Sequence, residues 1–546
     1  MNRALRSSRR IRPVSNPSVS VVVIAYNDAG LVGEAVASAL AQGPAVSEVI
    51  AVDDKSADGT AAVLDELAAA HPRLKVVHRT ENSGGCGTPR NDGIAAATAP
   101  YVMFLDSDDV LPPGAAEALL RAATTHEAQV TVGACVRREL PEGHDVPWVP
   151  GLYTPGDVVE RPADRPELVR DTLCVNKLYE RSFLDKHAIR FPDGRFVYED
   201  FLFTARVLAA APRMAVIDDL VYVWHVRRSA ARKSISLDRK DVGNWRARIA
   251  AHRAAAETLA AASPQLGHAC QVKFLEYDLR MYLRELGQDP DYQAAWWTLT
   301  RDYVAGFAES AVEAAAAPAR WTVRVLRATA TPPPDVQRLT RFAAEPPRLL
   351  PPYATVDGEP VWSQDVPAVL DGLADLPVAE LPVTVDAEPA GAQLRVRVHD
   401  LYGRLAEAGP RTASLRFLPR TGGEPYAGEP AELRPAGEGV WTAELPFRLG
   451  VLAAEGRRAG RRGMQAWDVR VGVECADGSS LLTSLRPQGS LLRRRALPSS
   501  RYGVLLAQPY RTAAGSLALR LAPGAEGALN LVRNRLGRAR MGRRSR

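Results

Sequence analysis

Residues 19–26 (VSVVVIAY) form an unbroken apolar, β-branched run, and 48–53 (EVIAVD), 74–78 (LKVVH) and 101–105 (YVMFL) repeat the pattern. Such runs predict strands buried on both faces of a parallel sheet. Between them, 31–41, 60–70 and 89–97 read as helices, and Thr88 before Pro89 suits a helix start. Strand–helix alternation at this spacing predicts an open, Rossmann-like α/β sheet with right-handed crossovers. Ligands of such sheets sit beyond the carboxyl ends of the strands. Here each end is polar: Tyr26-Asn27-Asp28, Asp53-Asp54 and Asp106-Ser107-Asp108-Asp109.

From about 240 to 345 the apolar residues recur at three and four, which predicts amphipathic helices. Beyond residue 346, short alternating runs (QLRVRVHDL, ASLRFLP, GVWTAELPF, AWDVRVGVEC) are separated by Gly, Pro and Asp turns, the pattern of an antiparallel β-sandwich. The expected organisation is a basic arm (1–17), an α/β domain (18–240), a helical connector (241–345), a β-sandwich region (346–525) and a basic tail (526–546).

A chain of 546 residues holds roughly three domains, and 46% hydrophobic with 24% charged residues excludes wholesale disorder. Five scattered cysteines with no CxxC pair exclude a disulfide scaffold and a zinc ribbon. No run approaches the ~18 uninterrupted apolar residues of a membrane span. The basic start has no apolar stretch behind it, so a secretory signal is not expected and the reading is cytoplasmic. A net charge of +6 does not point to nucleic acid. Arginines crowd both termini, from Arg3 to Arg12 and from Arg533 to Arg546. These arms read either as solvated tails or as contacts to an anionic membrane surface or polymer.

Two carboxylates one residue apart after a buried strand, Asp106 and Asp108, read either as a solvated turn or as ligands of a hard cation, Mn²⁺ or Mg²⁺. Asp58 and Thr60 read as helix-capping residues, whereas Asp54 is placed to accept hydrogen bonds from a nucleobase. The segment from Asn82 to Gly93 is glycine-rich but lacks both the dinucleotide fingerprint and a P-loop lysine. It leaves Arg90 in a helix's first turn, within reach of a phosphate or base. Glu199 and Asp200 precede an apolar helix and read either as acids favoured by the helix dipole or as a general base with its neighbour.

In order along the chain, VIAYN (23–27), VDDKSADGT (52–60), NSGGCGTPRNDG (82–93), FLDSDD (104–109), NKLY (176–179) and YED (198–200) resemble the motifs of family 2 glycosyltransferases with the GT-A fold. The resemblance covers about 17–237; Ala25 stands where such proteins usually have proline, and Lys55 where they usually have glycine. It implies an inverting, metal-dependent transfer from a nucleotide-sugar, UDP-linked by resemblance. Ala25, Tyr26, Asn27, Asp54, Asn82, Arg90, Asp106 and Ser107 would bind the nucleotide-sugar. Asp108, Asp106 and His225 would hold the metal, although a lone His after an apolar strand also reads as structural. Asp200, with Glu199 beside it, would be the base. Trp224, Arg227 and Arg228, with Lys233 in the loop that follows, would face the acceptor, although the basic residues read equally as an exposed face. The layout is similar to that of bacterial glycosyltransferases that decorate wall teichoic acids. It implies a polyol-phosphate or other polysaccharide acceptor, with a C-terminal β region that aids either polymer binding or self-association. The competing expectations are a transferase for another surface polysaccharide or glycolipid, and a non-catalytic carbohydrate-binding protein on a degenerate fold.

Overall fold

The computed structural model describes residues 17–140, 143–227, 238–287, 289–420, 424–437, 439–458, 464–512 and 514–524. The chain divides into two compact units, Met1–Phe274 and Leu275–Arg546. Both Arg-rich termini, Arg228 and Lys233 lie outside the described residues.

The first unit is built on strands β1 (Val19–Ala25), β2 (Val46–Asp53), β3 (Leu74–His78), β4 (Tyr101–Asp106), β5 (Val130–Glu139), β6 (His144–Pro147), β7 (Asp157–Val159), β8 (Lys177–Glu180) and β9 (Met214–Val226). They form a mixed sheet in the order β3-β2-β1-β4-β8-β5-β9-β7, with β6 paired to β5. β3, β2, β1 and β4 run parallel, whereas β8 is antiparallel to both β4 and β5. The apolar run of β1 is buried at every position, as a strand covered on both faces must be.

Helices α1 (Val32–Leu40), α2 (Thr60–Ala70), α3 (Gly87–Ala96) and α4 (Ala115–Thr125) connect the early strands; α5 (Arg181–Lys186) and α6 (Glu199–Ala209) follow β8. α3 lies close against β1 because residue 93 is glycine: a Cβ there would meet Val22 Cγ1 at 2.1 Å. Thr88 does not cap α3, which already begins at Gly87; its hydroxyl instead accepts from the Gly194 N–H at 2.9 Å. α7 (Val242–Ala262) is capped by Asp241, and α8 (Pro264–Lys273) by Ser263 with proline at its first position. The division between units falls after Phe274, so these two helices, expected in a connector, pack with the first unit.

The second unit begins with helices, among them Pro290–Val304 and Ala317–Ala328, and continues into strands. Among the described residues its sheet pairings are antiparallel except one. Ser480–Pro487 pairs with the strand Gln465–Cys475 through its first half and then, in parallel, with Val385–Ala390 through Leu485, Arg486 and Pro487. One strand thus passes from one sheet to the other, which accounts for the departure from the purely antiparallel expectation. Gln393–His399 alternates buried and exposed residues, as its QLRVRVH pattern predicts.

Candidate active site

β1 has β2 on one side and β4 on the other, so the chain reverses its direction of winding beside β1. In the register Ala25 is level with Asp53, and Ile24 with Asp106, which brings three polar strand ends to one edge. Ala25 itself is buried, and its carbonyl accepts the Asp54 N–H at 2.9 Å, so it meets that edge through backbone only. Tyr26 follows, half-buried. Asn27 adopts the left-handed region (φ 57°); its N–H donates to Ser56 Oγ at 3.0 Å and its Oδ1 accepts the Ala57 N–H at 2.7 Å. Lys55 has φ 60°, a left-handed conformation that favours glycine, in keeping with the glycine that the family resemblance leads one to expect there. Ser107 Oγ donates to Asp28 Oδ2 at 2.6 Å, joining the ends of β1 and β4.

Asp54 is buried and fully engaged. Its carboxylate accepts from the Ser83 N–H (3.0 Å), Ser83 Oγ (2.7 Å) and Asn82 Nδ2 (3.1 Å), and Arg79 Nε lies 2.9 Å away. The pair Asp54 and Asn82 therefore fastens the glycine-rich segment to the end of β2.

Arg90 is 3% exposed and joins two acids from distant parts of the chain. Its Nη2 donates to Asp106 Oδ1 at 2.6 Å, and its Nη1 donates to Glu199 Oε1. Next to Glu199, at the start of α6, burial first and the Glu199 charge second push the Asp200 carboxyl up to about 7. Arg90 and Arg248 pull the other way. Tyr198, just before the acid pair, is held at φ 64° and ψ 43°, a strained conformation for a bulky side chain. Its hydroxyl donates to Asn244 Oδ1 at 2.8 Å, and Arg248 lies 4.8 Å from the ring centroids of both Tyr198 and Phe201. Asn244 and Arg248 are one turn apart on α7. Sequence reasoning missed both, since nothing in an amphipathic helical run marks which turn will face the site.

The loop after β4 is locked to β9. Tyr222 Oη donates to Asp109 Oδ2 at 2.7 Å, and the His225 N–H donates to Asp109 Oδ1 at 2.7 Å. His225 Nδ1 lies 3.1 Å from the Asp108 carbonyl oxygen, and burial holds the imidazole below its ordinary value. Arg227 Nη1 donates to the same carbonyl at 2.7 Å and sits 3.6 Å from Asp108 Oδ2. Burial, then the Asp106 carboxylate, raise Asp108 to about 6 against the pull of Arg227. Arg227, expected towards the acceptor, thus lies against the acidic loop. Trp224 packs edge-on against Trp148, their ring centroids 5.8 Å apart.

Among the described residues no three His, Cys, Asp or Glu side chains converge to hold a metal on their own. A hard cation that shares its shell with diphosphate oxygens and water needs only one or two carboxylates. The acids fit that role, because Asp28 and Asp106 add negative charge beside an already destabilised Asp108 carboxylate.

The Asn176-Lys177 motif is internal scaffolding: Lys177 Nζ donates to Asp171 Oδ2 at 2.7 Å and Asn176 Nδ2 to the same oxygen at 2.9 Å. Contacts therefore join Asp106, Ser107, Asp108, Arg90, Glu199, His225 and Arg227 along one edge; Asp54 and Asn82 stand beside them at the end of β2.

The site is thus an open α/β sheet with acids gathered at its carboxyl edge, the place where ligands of such sheets bind. Residues 20–187 match the model of glycosyl transferase family 2. The succinoglycan biosynthesis protein ExoU of Rhizobium meliloti is 30% identical over 296 residues, 52% of this chain and 83% of that protein. The chain belongs to glycosyl transferase family 2. The poly(ribitol-phosphate) beta-glucosyltransferase of Bacillus spizizenii is 32% identical over 227 residues, 40% of this chain and 34% of that one. The match spans 65% of another Rhizobium meliloti relative, ExoO. The crystal structure of S. aureus TarS shares the fold, with TM-score 0.50 and 17% identity over 93% of this chain and 85% of that one. Among the described residues no helix is long and apolar enough to cross a membrane.

Proposed function

We propose that this protein transfers a sugar, with inversion, from a UDP-sugar to a hydroxyl of an anionic cell-envelope polymer of the polyol-phosphate type. The arrangement that carries the reading is the Glu199–Asp200 pair at the start of α6, with Glu199 held by Arg90 and burial pushing the neighbouring Asp200 carboxyl up to about 7. With Glu199 tied up in that ion pair, Asp200 is the group able to take the acceptor's proton. The acceptor oxygen then attacks the anomeric carbon, and the bond from that carbon to the diphosphate oxygen breaks on the opposite face. Tyr26 lies against the nucleobase, Asp106 and Ser107 face the ribose and diphosphate, and Arg227 offers its positive charge to the leaving group. A divalent cation, Mn²⁺ or Mg²⁺, held by Asp108 and the diphosphate, would supply Lewis-acid neutralisation of the leaving charge.

The polyol-phosphate acceptor is supported by the resemblance to the poly(ribitol-phosphate) beta-glucosyltransferase. A second reading, transfer to another surface polysaccharide, is favoured by the similarity to ExoU and ExoO, both called succinoglycan biosynthesis proteins. Release of nucleotide from a UDP-sugar panel with Mn²⁺, with poly(ribitol phosphate) or a neutral polysaccharide as acceptor, tests both. Stimulation by the phosphate polymer alone supports the first reading; stimulation by the neutral polymer alone replaces it with the second. No turnover with any donor overturns the transferase reading.

A further inference from the structure

We propose that the second unit carries a binding site for a phosphate-class oxyanion, formed by Arg341, Arg348, Arg486 and Arg511. Arg348 is fully buried, and its Nη2 donates to the Ala514 carbonyl at 2.6 Å. Its Nε and Nη1 have no hydrogen-bond partner among the described residues, and neither has Arg341 Nε. Arg341 reaches the same turn: a Cβ on Gly515, which has φ +77°, would stand 2.3 Å from Arg341 Nη1, so only glycine leaves room for that guanidinium. The two arginines are also tied through backbone, the Arg348 N–H donating to the Arg341 carbonyl at 3.1 Å. Arg511 donates to the Pro487 carbonyl at 2.9 Å, which places it beside Arg486.

Among the described residues one carboxylate faces this group, and its acceptor positions are filled. Asp386 lies opposite Arg486 in the parallel strand pair and accepts from Arg486 Nη2 at 2.8 Å, Gln488 Nε2 at 2.8 Å and His399 Nε2 at 2.9 Å. Three guanidinium charges therefore remain without a counter-charge among the described residues. The charges repel one another: burial first, then Arg341 and Arg486, push the Arg348 guanidinium down to about 10, and burial with Arg511 and Arg486 lowers Arg341. A buried guanidinium with empty donors is unfavourable until an acceptor fills them. The planar N–H fork matches the oxygens of a phosphate, whose tetrahedral array of oxygens can meet several guanidinium groups at once where a planar carboxylate cannot. Arg511 is exposed and Arg341 partly so, which leaves the cluster a solvent-facing side. The ligand's source is either free phosphate or a phosphodiester of a polyol-phosphate chain. The site stands apart from sugar transfer, so failure of the catalytic reading leaves it untouched.

The test is thermal unfolding of the full chain at constant ionic strength, with chloride as the reference salt. Inorganic phosphate, acetate and a short poly(ribitol phosphate) are added in separate arms. Phosphate or the oligomer is expected to raise Tm by about 2–5 °C at saturation, while acetate has no such effect. Both Arg341→Gln and Arg511→Gln should lose most of that rise without a lower Tm in chloride, because each removes an unbalanced charge. Arg348→Met should do the same; should it fail to fold, the other two variants carry the test. A rise with inorganic phosphate assigns the free ion, and a rise with the oligomer alone assigns the polymer. Equal Tm in phosphate, oligomer and chloride overturns the proposal. So does an acetate effect equal to that of phosphate, or a rise that survives in Arg341→Gln and Arg511→Gln.

Discussion

Tyr198 Oη donates to Asn244 Oδ1 at 2.8 Å, and this bond anchors the left-handed residue that aims the Glu199–Asp200 pair. The second anchor is Arg248, one turn along α7, packed on the rings of Tyr198 and Phe201. Without these partners the strained turn has no reason to persist, because isolated residues in that region relax to negative φ.

Arg248→Met keeps much of the packing and removes the charge. Arg248 holds the Asp200 value down, so its loss should move the acid limb of the pH–rate profile upward by roughly half a unit to one unit. Donor KM should be little changed, which separates an effect on the base from general loosening.

With the parent chain, kcat/KM should climb with pH and level off above about 7, where Asp200 is ionised. Asp200→Asn should lower turnover by about 10²–10⁴-fold while donor binding, read by calorimetry, persists. Near-normal turnover in that variant would remove Asp200 from the mechanism.

The same carboxyl has a stability signature of opposite sign to most acids. Its folded value lies above its unfolded one, so the native state binds more protons between about pH 4 and 7, and stability falls as pH rises through that window. Asp200→Asn should therefore raise stability at pH 8 by about 1–3 kcal/mol in denaturant titrations. Glu48 shows the usual sign. Against burial, the Lys75 ammonium, Ser20 and Thr98 hold it down to about 2. Its contribution is present above pH 4.5 and is lost as pH falls towards 2, and Glu48→Gln should flatten that acid limb.

Arg90→Met should be among the most damaging substitutions, since it leaves Asp106 and Glu199 facing one another without their shared cation. The expected cost is about 3–5 kcal/mol of unfolding free energy, together with a further rise of the Asp200 value.

Asp108→Ala tests the cation. Activity should fall about a hundredfold and lose its response to chelator and added Mn²⁺. Unchanged metal dependence in this variant would move the cation to other residues.

The amino-acid sequence by itself determined the strands of the parallel half-sheet; β1, β2 and β4 are buried as their apolar runs require, whereas β3, expected to be buried on both faces, lies at the sheet edge and buries only Leu74 fully. It also determined the polar character of each strand end and the order of motifs that marks the family. The alternating pattern of the second unit likewise showed antiparallel strands, although not the strand that passes between sheets. What only the tertiary structure decided is how side chains are partnered. Arg90 meets Glu199 across 109 positions, and Tyr222 meets Asp109 across 113. Whether Arg90 faces a ligand or a neighbouring carboxylate, and which turn of α7 supports the acid pair, depends on packing between elements. Local periodicity records which face of a helix is buried, not what it is buried against. The arginine cluster is the extreme case: four cations drawn from separate segments look ordinary along the chain, and their shortage of counter-charge exists only once the fold brings them together.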